Sequence, residues 1–162
     1  MNDRTAGPAD DAPWDSARYL REILRAPVYE ASEHTPLQVM ATLSARVGNT
    51  VEVKREDLQA VHSFKIRGAY NAMRALGEAE RARGVITASA GNHAQGVARS
   101  ATLLGVDATI VMPTVTPRIK VDAVRDLGGR VLLLGDNFDA AKAEAQRTAQ
   151  TKGAPCNPPL AT

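Results

Sequence analysis

The hydrophobic residues of this chain follow two alternating patterns, short β-branched runs and longer helical stripes. Runs at 51–53, 85–87, 109–112 and 131–134 predict four strands. The last three runs are apolar almost throughout, which is typical of strands that are covered on both faces. Because helical segments separate these strands, the pattern favours an α/β fold with a parallel sheet and helices on its faces.

The helical segments carry apolar residues at a spacing of three and four. The first helix begins at Ser16, whose hydroxyl can cap it, and Pro27 ends it after about three turns. A later helix begins with Thr116 as its cap and Pro117 in its first turn. The apolar stripes are Tyr19, Leu20, Ile23 and Leu24; Ile66, Ala69, Tyr70, Met73 and Leu76; Val97, Ala98, Ala101 and Leu104; Ile119, Ala123, Val124 and Leu127; and Phe138, Ala141 and Ala145.

The two ends of the chain depart from this pattern. Residues 1–15 open with a stretch of Pro, Gly and Asp that lacks large apolar side chains, so they are predicted to form a disordered tail. Residues 16–162 form the structured part. Its last helix is predicted to reach about residue 151, after which three prolines exclude regular structure. A parallel sheet that ends there has an uncovered edge, which predicts an incomplete domain of a larger architecture.

Composition and charge narrow the classes of function. Hydrophobic residues make up 44% and charged residues 23% of the chain, the balance of a globular protein with a core. The net charge is only +2 and no run of Lys or Arg concentrates it, so neither nucleic acid nor a membrane surface is an expected partner. The chain has a single cysteine, Cys156, and neither a secretory segment nor an apolar run of membrane length. We therefore expect a cytoplasmic protein.

Lys65 is the first residue with candidate chemistry. It falls just before the apolar stripe that begins at Ile66, and Ser63 can cap the same helix. Its ammonium group would then lie near the positive end of the helix dipole, which disfavours its charge. A lysine that loses its proton can form a Schiff base with a carbonyl compound. On position alone, a solvated lysine at a helix start is the commoner case.

The second candidate is the loop of small residues that follows the run at 85–87. Ser89, Ala90 and Gly91 allow a ligand to approach the backbone, and the start of the next helix favours a carboxylate or a phosphate. Ser89 and Asn92 add side-chain donors. The alternative is an ordinary loop in which one of these two side chains caps the helix. His93 could act as a base, although a lone histidine more often packs or forms a hydrogen bond.

Three other chemistries find no support in the sequence. No set of His, Cys, Asp and Glu has the spacing of a metal site, so no metal is expected. No Walker-type glycine-lysine motif is present, which argues against a nucleoside triphosphate. Neither Ser63 nor Ser89 lies in a G-x-S-x-G setting, which argues against a serine hydrolase.

Taken together, the two candidate segments resemble the fold-type II pyridoxal-phosphate enzymes, and among them the serine and threonine dehydratases. Residues 61–69, Val-His-Ser-Phe-Lys-Ile-Arg-Gly-Ala, resemble the cofactor-lysine motif of that family. Residues 87–97, Thr-Ala-Ser-Ala-Gly-Asn-His-Ala-Gln-Gly-Val, resemble its substrate-carboxylate loop. The resemblance covers roughly residues 19–159. Three further segments narrow it to the biosynthetic threonine dehydratases (threonine ammonia-lyases): residues 20–31, 35–37 and 53–57.

This resemblance implies a fold, a cofactor and a reaction. The fold is a three-layer parallel sheet with flanking helices, like that of the tryptophan synthase β subunit. The cofactor is pyridoxal 5'-phosphate, and the reaction deaminates L-threonine to 2-oxobutanoate and ammonia, the first step of isoleucine biosynthesis. Lys65 would hold the cofactor and later move the substrate α-proton, and Asn92 would bond the ring hydroxyl of the cofactor. The residues expected around the substrate carboxylate are Ser89, Ala90, Gly91 and His93.

Two alternatives remain open beside this function. One is a serine dehydratase or serine racemase of the same fold type, because the loop does not fix the choice of substrate side chain. The other is a non-catalytic remnant that pairs its exposed sheet with another chain. Family members carry a glycine-rich loop for the cofactor phosphate beyond the point where this sequence stops, so 16–162 is expected to be the N-terminal part of the catalytic domain. The full-length protein is expected to be a homo-oligomer.

Overall fold

The computed structural model describes residues 15–156. The predicted disordered tail therefore lies outside the described residues, apart from Asp15. The elements in chain order are α1 (Ser16–Arg25), a 3-10 turn (Val28–Glu30), β1 (Leu37–Val39), α2 (Ala41–Val47), β2 (Glu52–Lys54), a second 3-10 turn (Glu56–Leu58), α3 (Lys65–Arg74), α4 (Glu78–Ala82), β3 (Val85–Ala88), α5 (Asn92–Leu104), β4 (Ala108–Met112), α6 (Arg118–Asp126), β5 (Arg130–Leu133) and α7 (Phe138–Lys152).

Three of the four predicted strands form one parallel sheet in the order β3-β4-β5. Val85 pairs with Ala108, and Ile110 pairs with Val131. This confirms the predicted parallel sheet. One detail was wrong: β3 and β4 are fully buried, but β5 is an edge strand whose residues are only partly covered by the described chain.

Helices cover both faces of this sheet and give it three layers. Side chains of α3, α5 and α6 pack on one face, and those of α7 pack on the other. Because successive strand residues point to opposite faces, Val85 and Thr87 face α3 and α5 while Ile86 and Ala88 face α7. The α3 and α5 side holds the larger buried cluster: Ala69, Met73, Val85, Ala94, Val97, Ala98, Ala101, Val106, Ala108, Ile110, Met112, Val121 and Val124.

The segment before α3 is organised separately. The strand predicted at 51–53 is observed as β2, and it pairs antiparallel with β1 in a two-stranded sheet of its own. The sequence pattern did not predict β1 and α2, whose residues are exposed or partly exposed. The apolar stripe of α1 is likewise more than half exposed, since Tyr19 at 52% is its least exposed member. This part of the chain therefore buries little apolar surface against the described residues.

The structure moves three predicted helix caps by one residue. The cap of α1 is Asp15, not Ser16, because the Asp15 carboxylate accepts the N–H of Arg18 at 2.7 Å. Phe64 precedes α3 and Pro117 precedes α6, where Ser63 and Thr116 were predicted as caps. Both hydroxyls lie one residue too early to reach the first free N–H groups.

The predicted stripe on α6 is confirmed at Val124 and Leu127, which are buried or packed against the core, but is wrong at its first member. Ile119 was placed on the buried face, but it is 78% exposed. The helix packs through Val121 and Val124, which are 3% and 1% exposed. Ile119 lies two positions before Val121, so the helical turn of about 200° carries it to the solvent side.

The end of the described chain adds one contact to the sheet. Regular structure was not expected there, but Cys156 forms an isolated parallel bridge with Ile86. The N–H of Ile86 donates to the carbonyl oxygen of Pro155 at 3.1 Å. Proline lacks an N–H but keeps its carbonyl, so it can still accept a bond from a strand edge. The outer edge of β3 is therefore partly paired.

Two structural features are absent from residues 15–156. No helix in this range is both long and apolar enough to cross a bilayer. The same range holds no group of three or more His, Cys, Asp or Glu side chains that could ligate a metal ion.

Candidate functional site

The packing of α3 against α5 brings the two candidate segments together. Lys65 is the first residue of α3, and residues 89–91 connect β3 to α5. The backbones meet at Gly96, where an added Cβ would lie 3.0 Å from the carbonyl oxygen of Lys65 and 3.3 Å from the Cβ of Ala69. Gly96 lies about one helical turn beyond the loop. The start of α3 therefore lies directly against α5 because position 96 carries no side chain.

The side chain of Lys65 is partly exposed at this junction. Its Nζ atom lies 5.1 Å from the centroid of the Phe64 ring, and that ring is itself largely exposed. The predicted position of Lys65 at the helix start is confirmed. The amine can therefore be reached by a small molecule, while the role of the residue in holding a cofactor stays a prediction.

The small-residue loop has a defined shape with one open side. The N–H of Ser89 donates to Val111 of β4 at 3.1 Å, and the Ser89 hydroxyl accepts the N–H of Gly91 at 3.3 Å. Ala90 packs partly against the core. A Cβ at Gly91 would meet no atom of the described chain within 4 Å. The loop is thus held to the sheet by the Ser89 hydrogen bond, and it leaves open space for a ligand at Gly91.

The two remaining predicted site residues begin α5. Asn92 is the first residue of the helix and is exposed, whereas His93 is 5% exposed. Gly91 occupies the cap position and no side chain caps the helix. The alternative that Ser89 or Asn92 serves as a helix cap is therefore wrong, and the Asn92 amide faces solvent at the end of the loop.

Replacing Gly96 with alanine should destabilise the chain. Alanine normally favours a helix interior over glycine by about 1 kcal/mol. Here the new Cβ would press on backbone atoms of Lys65 at 3.0–3.1 Å, and a backbone cannot move aside cheaply. We expect the free energy of unfolding, measured by urea titration, to fall by roughly 1–2 kcal/mol. An increase of about 1 kcal/mol would mean that α3 and α5 have room for the methyl group.

Two buried hydroxyl groups lie near the junction without a hydrogen-bond partner. Among residues 15–156, neither the Oγ of Ser63 nor the Oγ1 of Thr87 has one. Ser63 is two residues before Lys65 and 6% exposed, and Thr87 is fully buried on the face of β3 that α3 and α5 cover. A buried polar group without a partner costs about 1–3 kcal/mol. Each of these two hydroxyls therefore leaves a hydrogen bond unmade within the described residues.

The Thr87→Val substitution tests the cost of one of these hydroxyls. Valine keeps the branched shape and removes the polar atom, so we expect the ligand-free chain to gain about 1 kcal/mol in unfolding free energy. The matched control is Thr102→Val, because the Thr102 hydroxyl donates to the carbonyl oxygen of Leu127 at 2.8 Å. That control should lose about 1 kcal/mol. If both variants were destabilised equally, Thr87 would not be an unsatisfied group.

An ion pair beside Lys65 was not anticipated from the sequence. Arg67 donates from Nε and Nη2 to the two carboxylate oxygens of Glu56, each at 2.8 Å. The side chains of Arg67 and Glu56 are only 22% and 15% exposed. These two bonds lower the pKa of Glu56 to about 2, and the same bonds raise the pKa of Arg67. Glu56 and Arg67 occur in the motifs that carry the family resemblance, which was the available signal.

Known proteins match this chain over a range that contains both candidate segments. A family model described as "Pyridoxal-phosphate dependent enzyme" matches residues 28–160. The chain is 61% identical over 153 residues to the biosynthetic L-threonine dehydratase of Escherichia coli, covering 94% of this chain and 30% of that protein. The processed form of threonine deaminase isoform 2 from Solanum lycopersicum superposes with a TM-score of 0.86 at 50% identity, covering 90% of this chain and 43% of that one. Maize serine racemase superposes with a TM-score of 0.79 at 33% identity, covering 85% and 41%.

These matches cover most of this chain but less than half of each known protein. The chain spans about 30% of the length of the curated relatives that it matches. The family match nevertheless covers most of the chain and contains both Lys65 and the small-residue loop. The superpositions confirm the expected fold-type II architecture, and the family description confirms pyridoxal phosphate as its cofactor. The chain belongs to the family of pyridoxal-phosphate dependent enzymes.

Proposed function

We propose that this chain is the N-terminal catalytic part of an enzyme that deaminates L-threonine to 2-oxobutanoate and ammonia, the first step of isoleucine biosynthesis. The observation that carries the proposal is the contact of Lys65 with α5, one turn beyond the small-residue loop. It supports the proposal because it brings the backbone of Lys65, whose side chain carries a primary amine, close to the helix that follows the loop. The identity to the threonine dehydratase of Escherichia coli supports the choice of reaction.

The residues present at the junction fit pyridoxal phosphate. The cofactor carries an aldehyde and a ring hydroxyl, which need an amine and a hydrogen-bond donor. Lys65 offers an accessible amine, and the exposed Asn92 amide offers the donor. The hydroxyl of Ser63, two residues before Lys65, has no partner among the described residues, so it has a hydrogen bond left to make.

In this proposal each residue has a role suited to its chemistry. Lys65 holds the cofactor and, once released, takes the proton from the substrate α-carbon with its Nζ atom. When bound, pyridoxal phosphate supplies the electron sink that stabilises the negative charge left on that carbon. Asn92 orients the cofactor by a hydrogen bond from its amide.

The loop from Ser89 to His93 binds the substrate carboxylate. The Ser89 oxygen accepts a bond from Gly91, so its own proton remains available to donate to an anion. The open side at Gly91 admits the carboxylate close to the backbone, and the positive end of the α5 dipole favours its charge. Ala90 and His93 complete the loop, with His93 buried beneath it.

The comparisons favour threonine over serine as substrate. Identity to threonine dehydratases reaches 61%, whereas identity to maize serine racemase is 33%. We further propose that residues 16–162 form one part of the catalytic domain, and that the complete enzyme is a cytoplasmic homo-oligomer with no nucleic-acid or membrane partner. The lone Cys156, which can form no disulfide within the chain, supports an intracellular compartment.

Cofactor attachment tests the proposal directly. The chain is incubated with pyridoxal phosphate, reduced with borohydride and digested, and the modified lysine is located by mass spectrometry. We expect the adduct on Lys65 in preference to the exposed Lys120, and we expect L-threonine to compete with attachment better than L-serine or D-serine does. An adduct spread evenly over the lysines would overturn the proposal.

A further inference from the structure

A cluster of polar side chains ties the loop before Lys65 to an earlier part of the chain. We call Glu56, Gln59 and Arg67 the clamp. Arg67 donates two parallel hydrogen bonds to the Glu56 carboxylate. Its Nη2 also donates to the carbonyl oxygen of Glu33 at 3.1 Å. Thr35 donates to the same Glu56 carboxylate at 2.6 Å. The clamp therefore joins segment 56–67 to residues near position 33.

Gln59 forms the other end of the clamp. Its side chain is 1% exposed, accepts the N–H of Glu33 at 2.9 Å and donates to the carbonyl oxygen of Glu33 at 2.9 Å. These are the two bonds that a neighbouring strand would make. The Gln59 side chain therefore takes the place of a neighbouring strand as the hydrogen-bond partner of the Glu33 backbone. If the segment around Gln59 shifted, these buried polar groups would lose their partners.

The short segment between the two ends of the clamp is itself constrained. Val61 and Ser63 are buried, and His62 adopts a φ of 53°, in the left-handed region that non-glycine residues rarely enter. The N–H of His62 donates to the carbonyl oxygen of Gln59 at 2.7 Å. Because this conformation is costly, it persists only where the surroundings hold it in place.

The geometry of α3 separates the clamp from the amine. Arg67 follows Lys65 by two residues, so the two side chains leave the helix about 200° apart. Arg67 lies 5.2 Å from the centroid of the Tyr29 ring, and Tyr29 stacks on His34 at 3.6 Å. The Nζ atom of Lys65 instead lies 5.1 Å from the centroid of the Phe64 ring, while its backbone contacts α5 at Gly96. The clamp thus holds the start of α3 from the side away from Lys65.

From these contacts we infer that Arg67, Glu56 and Gln59 are positioning residues, which set the place of the Lys65 amine by fixing loop 59–64 and the first turn of α3. This inference rests on the proposed function of Lys65. A partly buried ion pair often adds little net stability compared with apolar residues of similar size. Its bidentate form does fix geometry, and a proton-transferring amine depends on geometry.

The test uses the full chain with a double variant, Glu56→Gln with Arg67→Met, that removes both charges and leaves neither one buried alone. Its unfolding free energy should stay near that of the wild type. The borohydride-trapped adduct on Lys65 should nevertheless fall about tenfold. Backbone amides of residues 60–66 should exchange hydrogen about tenfold faster, while amides of α7 keep their rates. If the double variant unfolds, the second variant is Arg67→Lys, which keeps the positive charge but cannot form two parallel hydrogen bonds with Glu56.

The matched control is Asp57→Asn. It removes the neighbouring Arg55–Asp57 ion pair, whose side chains are 30% and 57% exposed, and leaves the clamp intact. It should change neither adduct yield nor exchange. A folded clamp variant with unchanged adduct yield and unchanged exchange at 60–66 would overturn the inference and leave the proposed function standing. If the wild type itself forms no adduct on Lys65, the proposed function fails, and the exchange rates alone decide the inference.

Discussion

Replacing Lys65 with alanine is expected to abolish cofactor attachment at the α3–α5 junction. The reason is chemical, because alanine has no amine that could condense with the aldehyde of the cofactor. The trapped adduct on the peptide that contains position 65 should vanish, and any release of ammonia from L-threonine should fall by on the order of a thousandfold or more. Both are measured on the same preparations, by mass spectrometry and by an ammonia assay.

Two companion variants separate the chemistry of Lys65 from its charge and from general lysine reactivity. Lys65→Arg keeps a cation at the helix start, but its guanidinium stays protonated and cannot hold the aldehyde, so it should behave like the alanine variant. Lys120→Ala removes an exposed lysine of α6 and should leave the adduct unchanged. Retention of full adduct yield in the Lys65→Arg variant would show that another amine holds the cofactor.

The parallel sheet was predictable because burial leaves a strong local signal. The runs that became β3 and β4 are apolar along their whole length, and such runs have few alternatives to a covered strand. The apolar spacing in α3 and α5 was equally clear, with Ile66 and Val97 both fully buried. By contrast, β1 has three residues, all of them exposed, so no burial pattern marks it in the sequence.

The candidate site was only partly predictable because its parts are close in space but distant in the chain. The position of Lys65 at a helix start follows from the neighbouring stripe. The need for glycine at position 96 appears only once α3 packs on α5. The partner of Arg67 is eleven positions earlier, and the partner of Gln59 is twenty-six positions earlier. Local periodicity contains no information on pairings of that separation.

Acid is expected to destabilise the chain because it protonates Glu56 and leaves Arg67 without its charged partner. The pKa of Glu56 falls from 4.5 to about 2 because Arg67 donates two bonds to its charged form. A carboxyl whose pKa is lower in the folded chain stabilises that chain fully above pH 4.5, and the contribution disappears as the pH falls through about 2. The shift corresponds to about 3 kcal/mol.

This stability should appear as a pH-dependent difference between the wild type and Glu56→Gln, both measured by denaturant titration. Near neutral pH the variant should be less stable by about 2–3 kcal/mol, since it loses the charge that Arg67 needs. The difference should begin to shrink below pH 4.5, where the unfolded wild type takes up a proton, and should approach zero below about 2, where Glu56 is neutral in the folded wild type as well. Asp57→Asn removes an exposed carboxylate of the same loop, so its curve should run parallel to that of the wild type. A difference between Glu56→Gln and the wild type that stays constant across the acid range would show that the carboxylate charge does not stabilise this loop.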